Sequence, residues 1–195
     1  MTAARSTSRP ATAADLLAIP EESRFHEIID GQIVQRASPT GEHGDAQSWL
    51  AALLKPPFAR RPGGDRPGGW WLLTEVEVEL EPHQVYRPDV VGWRRERVPE
   101  RPTGTPIATR PDWVCEVLST NRRNDTVKKL RTYQRCEVPH YWIVDPMDET
   151  LTVLRWTPQG YLVALKAERG EHVRAEPFEA IVLPVGLLFG DEDSP

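Results

Sequence analysis

Two carboxylates stand where the pattern of side chains asks for apolar residues. Glu116 lies inside Trp113-Val114-Cys115-Glu116-Val117-Leu118, and Asp89 opens Pro88-Asp89-Val90-Val91-Gly92-Trp93. Both runs read as strands, the first so continuously apolar that it belongs at the centre of a sheet covered on both faces. Burying an unpaired carboxylate there is costly, so each acid asks for a reason. Two acids near the ends of adjacent strands, converging on one point, make a hard-oxygen site suited to Mg²⁺ or Mn²⁺. Such a site stabilises the charge of a phosphoryl transition state and lowers the pKa of a bound water. A blander reading makes Asp89 a turn residue and pairs Glu116 with a nearby arginine.

A helical pattern over residues 122–136 comes after the second strand. With ~100° per residue, Val127, Leu130 and Tyr133 form one apolar stripe; Lys129 falls about 100° from its centre and Lys128 about 160°. Lys128 therefore points to water, whereas Lys129 flanks the buried face and reaches for the end of the sheet. There it can orient an attacking water and offset phosphate charge. An i,i+4 ion pair with Asp125 is the bland alternative, and the two are compatible.

Local patterns define the elements around these residues. Thr12 to Ile19 forms a short helix with Thr12 and Asp15 in capping-box spacing and Pro20 beyond its end. In Phe25–Arg36 two apolar-rich runs flank Asp30-Gly31, a pair suited to a type I′ hairpin turn. Residues 41–54 read as a helix stopped by Pro56 and Pro57. Leu73 to Leu80 alternates as one half-buried strand with Glu75, Glu77 and Glu79 on a solvated face. His140–Asp145 is a further buried strand, with Asp145 as a turn residue before Pro146. Thr150–Trp156 and Tyr161–Ala167 alternate as an antiparallel pair joined at Pro158-Gln159-Gly160. Trp70-Trp71 and Tyr141-Trp142 read as core, although a tryptophan can also stack on a base. This order fits an α/β (α+β) domain with a mixed sheet.

The 195 residues suffice for one good core, and eight of the 19 prolines cluster in residues 56–67 and 99–111, which read as ordered loops. Residues 1–10 are expected to be a disordered tail, 11–190 one domain, and 191–195 an acidic tail. No apolar run approaches the roughly 20 residues of a membrane span. Two cysteines without CxxC spacing favour reduced thiols in a cytoplasm. A net charge of −5 argues against gripping nucleic acid over the whole surface, yet permits a local basic groove. Arg94, Arg95 and Arg97 form one cluster, and Arg122, Arg123, Lys128, Lys129 and Arg131 another; either can equally be a solvated charged face.

Arg87-Pro88-Asp89-Val90-Val91, Pro111–Ser119, Asp125–Tyr133 with Lys129, and Val138–Pro146 together resemble the Uma-type restriction-endonuclease-like family of the PD-(D/E)XK nuclease superfamily. Glu27–Gly31 and Glu42-His43-Gly44 resemble that family's opening, and the resemblance covers roughly residues 11–190. It implies a restriction-endonuclease-like mixed sheet flanked by helices, with an N-terminal hairpin, and a Mg²⁺- or Mn²⁺-dependent endonuclease acting on DNA. Asp89 and Glu116 would be the metal carboxylates, completed by the Val117 carbonyl. The superfamily's lysine normally lies two residues after the glutamate, where this chain has Leu118, so its role would pass to Lys129. Glu27 would add a third carboxylate and His43 a contact to metal or phosphate, against the plainer readings of a strand residue and a helix cap. A homodimer would suit cutting two strands. The alternatives are a catalytically inactive module of the same fold that binds nucleic acid or a partner, and a metal-free acid–base hydrolase using Asp89 and Glu116.

Overall fold

The computed structural model describes residues 9–192. The expectations for residues 1–8 and 193–195 lie outside that range. Within it, Arg9 is paired with Asp15 and Asp191 with Arg169, so the parts of the two expected tails that are described are tied to the body.

Helix α1 (Ala13–Leu17) starts at Thr12, whose amide and hydroxyl both donate to the Asp15 carboxylate at 2.8 Å. Strands β1 (His26–Ile29) and β2 (Gln32–Gln35) then form the expected hairpin. Asp30 and Gly31 have φ of 52° and 71°, the pair of positive values that a type I′ turn requires.

Helix α2 (Gly41–Phe58) is longer than the sequence indicates, because it runs through Pro56 and Pro57. Both prolines sit in its last turn, which tertiary contacts hold in place. Phe58 is buried against Phe178, and the Pro57 carbonyl accepts from the Gly68 amide at 3.0 Å.

The expected single strand from Leu73 to Leu80 is instead two strands in two sheets. β3 (Trp70–Thr74) ends at Glu75, whose φ of 55° turns the chain, and β4 (Val78–Glu81) pairs with β5 (Gln84–Tyr86) elsewhere. The turn breaks the alternation. Glu77 is therefore buried, 3.2 Å from Arg24 and 2.6 Å from Arg87, rather than on a solvated face.

Strands β6 (Val90–Arg94), β7 (Trp113–Val117), β8 (His140–Asp145), β9 (Thr150–Thr157) and β10 (Gly160–Glu168) complete the main sheet. Its order is β10-β9-β8-β7-β6-β3, with β7 and β8 parallel and all other neighbours antiparallel. The parallel pair requires a crossover, which a π-helical turn (Asn124–Lys129) and helix α3 (Leu130–Arg135) supply. A second sheet, ordered β2-β1-β5-β4, lies on the α3 side. Two short strands, β11 (His172–Val173) and β12 (Leu183–Pro184), pair near the end.

β7 is central, as its apolar run indicates, and its residues alternate between two cores. Trp113, Cys115 and Val117 pack toward α2, where Phe178 meets Phe58, Trp70, Trp113 and Trp142 at ring-centroid distances of 4.7–5.7 Å. Val114 packs toward α3 with Tyr133, Tyr141 and Trp93. Each large side chain so buried contributes about 1.5–3 kcal/mol. Gly92 on β6 lets the tryptophans close in; a Cβ there would lie 2.9 Å from Leu72 and 3.1 Å from Trp70. The architecture is a mixed α+β fold with a multi-strand mixed sheet and few helices, in line with the sequence pattern.

Candidate active site

Asp89 and Glu116 are brought together by strand register. Val90 pairs with Cys115 across the antiparallel β6–β7 ladder, so one step further places Asp89 opposite Glu116. By alternation both side chains leave the sheet on the α3 side. Both are 2% exposed and line a cleft of about 480 Å³. The Val117 amide donates to Asp89 Oδ2 at 2.7 Å, which locks the acid of one strand to the backbone of the next.

The π-turn supplies the cationic partner. Its wider turn carries Asp125 and Lys129 inward together with Thr132 and Tyr133, all of them buried. Lys129 thus stands at the centre of the buried face rather than at its edge, and Val127, expected in the apolar stripe, is only half-buried. The Tyr141 hydroxyl donates to the Asp125 carbonyl at 3.1 Å and so satisfies backbone that the π-turn loosens.

Lys129 Nζ lies 3.0 Å from Glu27 Oε1, 3.1 Å from Asp125 Oδ1 and 3.2 Å from Glu116 Oε1. Burial opposes charge on this lysine, but the three carboxylates outweigh it and hold its pKa well above the ordinary value. One ammonium cannot compensate three acids. Burial accordingly pushes the Glu116 carboxyl well above its usual range and raises Asp125, with Lys129 only partly offsetting the effect. Asp89 goes the other way: burial would raise it, yet His43, the Val117 amide and Arg36 together hold it below the ordinary value.

His43 reaches Asp89 Oδ2 with Nε2 at 3.3 Å from the first turn of α2, whose Thr40 cap accepts the His43 amide. Burial disfavours its charged form, but the bond to Asp89 outweighs this and raises its pKa. Glu27 Oε1 also accepts the Arg87 amide at 2.7 Å, tying β1 to the segment that leads into Asp89. All five expected side chains, Glu27, His43, Asp89, Glu116 and Lys129, therefore line one cleft, with the Val117 backbone beside them.

Sequence reasoning missed several neighbours. Arg36 lies 3.2 Å from Asp89 Oδ1 and 2.5 Å from Glu75 Oε2, and Gln47 donates to the Asp89 carbonyl at 3.0 Å. Glu75, expected on a solvated sheet face, lines the cleft instead. Tyr133, read as core, donates its hydroxyl to Glu116 Oε1 at 2.7 Å. Only its place two turns on from Asp125, and one from Lys129, hinted at this; nothing in the pattern marks Arg36 or Gln47. Tyr133→Phe is expected to cost about 1.5–3 kcal/mol, the range for a bond to a charged group, with the fold retained. Urea denaturation of the two proteins measures it.

The first basic cluster is structural. Arg94 and Arg95 stack on Trp70 and Trp71, and Arg97 pairs with Asp112 at 2.8 Å. Arg122 in the second cluster pairs with Asp145, which is the last residue of β8 rather than a turn residue and accepts the Met147 amide of the following turn at 3.1 Å. Arg123, Lys128 and Arg131 enter no ion pair among the described residues, and Arg123 and Arg131 are exposed.

Among the described residues, no three His, Cys, Asp or Glu side chains converge in the arrangement of a preformed metal cage. The donors present nevertheless fit a small hard cation. Mg²⁺ commonly binds through one or two carboxylates and keeps several waters. Tyr133 and Lys129 both engage Glu116 Oε1, and none of the described bonds involves Oε2. Among the described residues Asp89 Oδ1 is held only by Arg36. Each of these two acids in the cleft thus keeps an oxygen with at most one partner among the described residues, Glu116 Oε2 with none and Asp89 Oδ1 with Arg36.

The comparisons bear on the fold and the family. The fold is shared with a solved structure titled as a putative nuclease belonging to DUF820 from Anabaena variabilis ATCC 29413, with a TM-score of 0.70 at 23% identity, covering 92% of this chain and 98% of that one. No curated protein sequence matches. Among the described residues, no helix is long and apolar enough to cross a membrane. The family described as "Uma2: Putative restriction endonuclease" matches residues 13–186. Since that match spans most of the chain and includes every residue of the cleft, the protein belongs to the Uma2 restriction-endonuclease-like family.

Proposed function

We propose that this protein is a Mg²⁺- or Mn²⁺-dependent endonuclease hydrolysing DNA phosphodiester bonds. The observation that carries the reading is the register placing Asp89 opposite Glu116, with Lys129 Nζ 3.2 Å from the latter. Asp89, Glu116 and the Val117 carbonyl would hold the cation, which when bound supplies charge stabilisation of the phosphoryl transition state and acidifies water.

The chain's own groups have separable tasks. Lys129 carries the positive charge that sits closest to Glu116, where it orients the attacking water and offsets phosphate charge. Its migration from the usual strand position to the helix is compensated by the π-turn, which aims it at the same carboxylate. Glu27 and Asp125 keep Lys129 protonated and in place. His43 and the Val117 amide fix the Asp89 carboxylate through Oδ2, so that Oδ1, which faces Arg36, keeps one orientation. Both thiols, Cys115 and Cys136, are unpaired, which supports a reducing cytoplasm as the setting. A homodimer would serve cleavage of two strands and is unnecessary for cutting one.

A direct assay tests this. Labelled single-stranded and duplex DNA are incubated with the protein in Mg²⁺, in Mn²⁺ and in EDTA. Cleavage is expected with either metal, absent with EDTA, and at least about 100-fold slower for Asp89→Asn, the scale of losing one preorganised electrostatic contact. An Asp89→Asn protein that cuts at the wild-type rate would sink the assignment. A second reading, a non-hydrolytic DNA- or partner-binding module, is favoured by the lack of a preformed three-ligand cage among the described residues and by the threefold pairing of Lys129. Salt-dependent DNA binding indifferent to metal and to Glu116→Gln would establish that reading instead.

A further inference from the structure

Phe25 is 59% exposed, yet it lines the same cleft as the buried acids. Its place is set by backbone pairing: its carbonyl accepts the Arg36 amide at 2.9 Å, extending the β1–β2 ladder by one pair. Residues two apart on a strand share a face, so Phe25 projects on the side of Glu27, which touches Lys129. Phe25 therefore stands about 6.5 Å outward from Glu27 along the strand, at the cleft's rim. That is roughly two base steps of about 3.4 Å each.

The rest of the rim carries one exposed carboxylate, Glu75, which is paired with Arg36, and otherwise uncharged side chains. The side-chain amides of Gln35, Asn121 and Asn124 and the Ser38 hydroxyl line the cleft and enter none of the hydrogen bonds among the described residues. The cations that line it, Arg36, Arg87 and Lys129, are each paired with carboxylates. A rim of this kind is poor at tracking the dense phosphates of a duplex. It suits an unpaired base, which offers a π-face to an aromatic ring and free edges to amides. Access gives the same answer. Asp89 and Glu116 are 2% exposed at the bottom of a cleft of about 480 Å³, a volume of small-ligand size that a flexible strand can enter and a stiff duplex cannot.

Resting on the nuclease reading, we propose that the substrate is DNA with unpaired nucleotides, one base of which stacks on Phe25 while its backbone passes down to Asp89 and Glu116. Stacking on Phe25 fixes how far along the strand the reacting phosphate lies.

Binding without turnover tests this. Fluorescence anisotropy is read for a labelled single-stranded 12-mer and for a blunt, fully paired duplex of the same sequence, in Ca²⁺ and in EDTA. Wild type, Phe25→Ala and Phe25→Trp are compared. The single strand is expected to bind more tightly than the duplex. Phe25→Ala should weaken its binding about tenfold, the loss of one base–aromatic stack, while Phe25→Trp retains it. An exposed residue leaves the fold intact in both variants, which circular dichroism verifies. Equal affinity for the two DNAs, no binding of either, or an indifferent Phe25→Ala would overturn the proposal. The two readings fail separately: single-strand binding lost in Phe25→Ala stands even if no bond is cut, and duplex cleavage unaffected by Phe25→Ala removes this proposal while leaving the nuclease.

Discussion

Glu116→Gln is expected to abolish Mn²⁺ binding measured by calorimetry and, with it, metal-dependent DNA cleavage. The substitution keeps the size of the side chain and its polarity. The Tyr133 hydroxyl at 2.7 Å can still donate to the amide oxygen, so the packing around position 116 has no reason to change. The substitution removes the negative charge that a hard cation needs, at an acid whose second oxygen is engaged by no other group among the described residues. The loss should exceed the roughly 10- to 100-fold seen on removal of a group merely supporting a ligand. Removing the charge also relieves the repulsion among Glu27, Glu116 and Asp125, so the variant should unfold no earlier than wild type in the absence of metal. Loss of metal binding together with undiminished stability separates a functional carboxylate from a structural one. Identical binding by both proteins would remove Glu116 from the metal site.

Lys129→Met carries the largest stability effect expected of any single change. Lys129 is 3% exposed and is the ammonium within 3.2 Å of three carboxylates. Methionine fills nearly the same volume, so packing is not the issue. Breaking a buried ion pair from one side leaves uncompensated charge and costs about 3–5 kcal/mol. For a chain of this size each kcal/mol corresponds to about 2–4 °C, so the melting temperature should fall by roughly 10 °C. Adding Asp125→Asn to the same protein should recover part of the loss, because one of the three stranded charges is gone. Thermal denaturation of wild type, single and double variants reads both effects. An unchanged melting temperature for Lys129→Met would mean that the carboxylates do not depend on it. Activity supplies the other half: a folded Lys129→Met protein that binds Mn²⁺ but does not cleave would place the lysine on the attacking water rather than on the cation.

The parts of the molecule legible in the sequence are those written in local patterns. The hairpin is announced by Asp30-Gly31, because two successive positive φ values are cheap only for such residues. The central strand is announced by a run that is apolar except for Glu116, since both its faces meet side chains. The two acids of the cleft are legible for the converse reason, as charges in places that burial forbids without a partner. Local patterns fail where elements bend. Alternation cannot reveal that Glu75 turns the chain from one sheet to another, so it assigns Glu77 to solvent although this residue is buried between Arg24 and Arg87. The prolines at the end of α2 announce a stop that Phe58 overrides by packing into the aromatic core.

The sequence by itself thus determined which residues are the candidates: an aspartate and a glutamate on neighbouring strands and a lysine in the helical segment that follows. Residue type and hydrophobic period suffice for that much. Tertiary structure alone decided how those groups are held. The antiparallel register sets Asp89 against Glu116, and the π-turn carries Lys129 to the centre of the buried face instead of its edge. Arg36, Gln47 and Tyr133 join the site from a hairpin, a helix and a core stripe that are distant in the chain. Such contacts depend on distances across a sheet and between sheets, which no local period encodes.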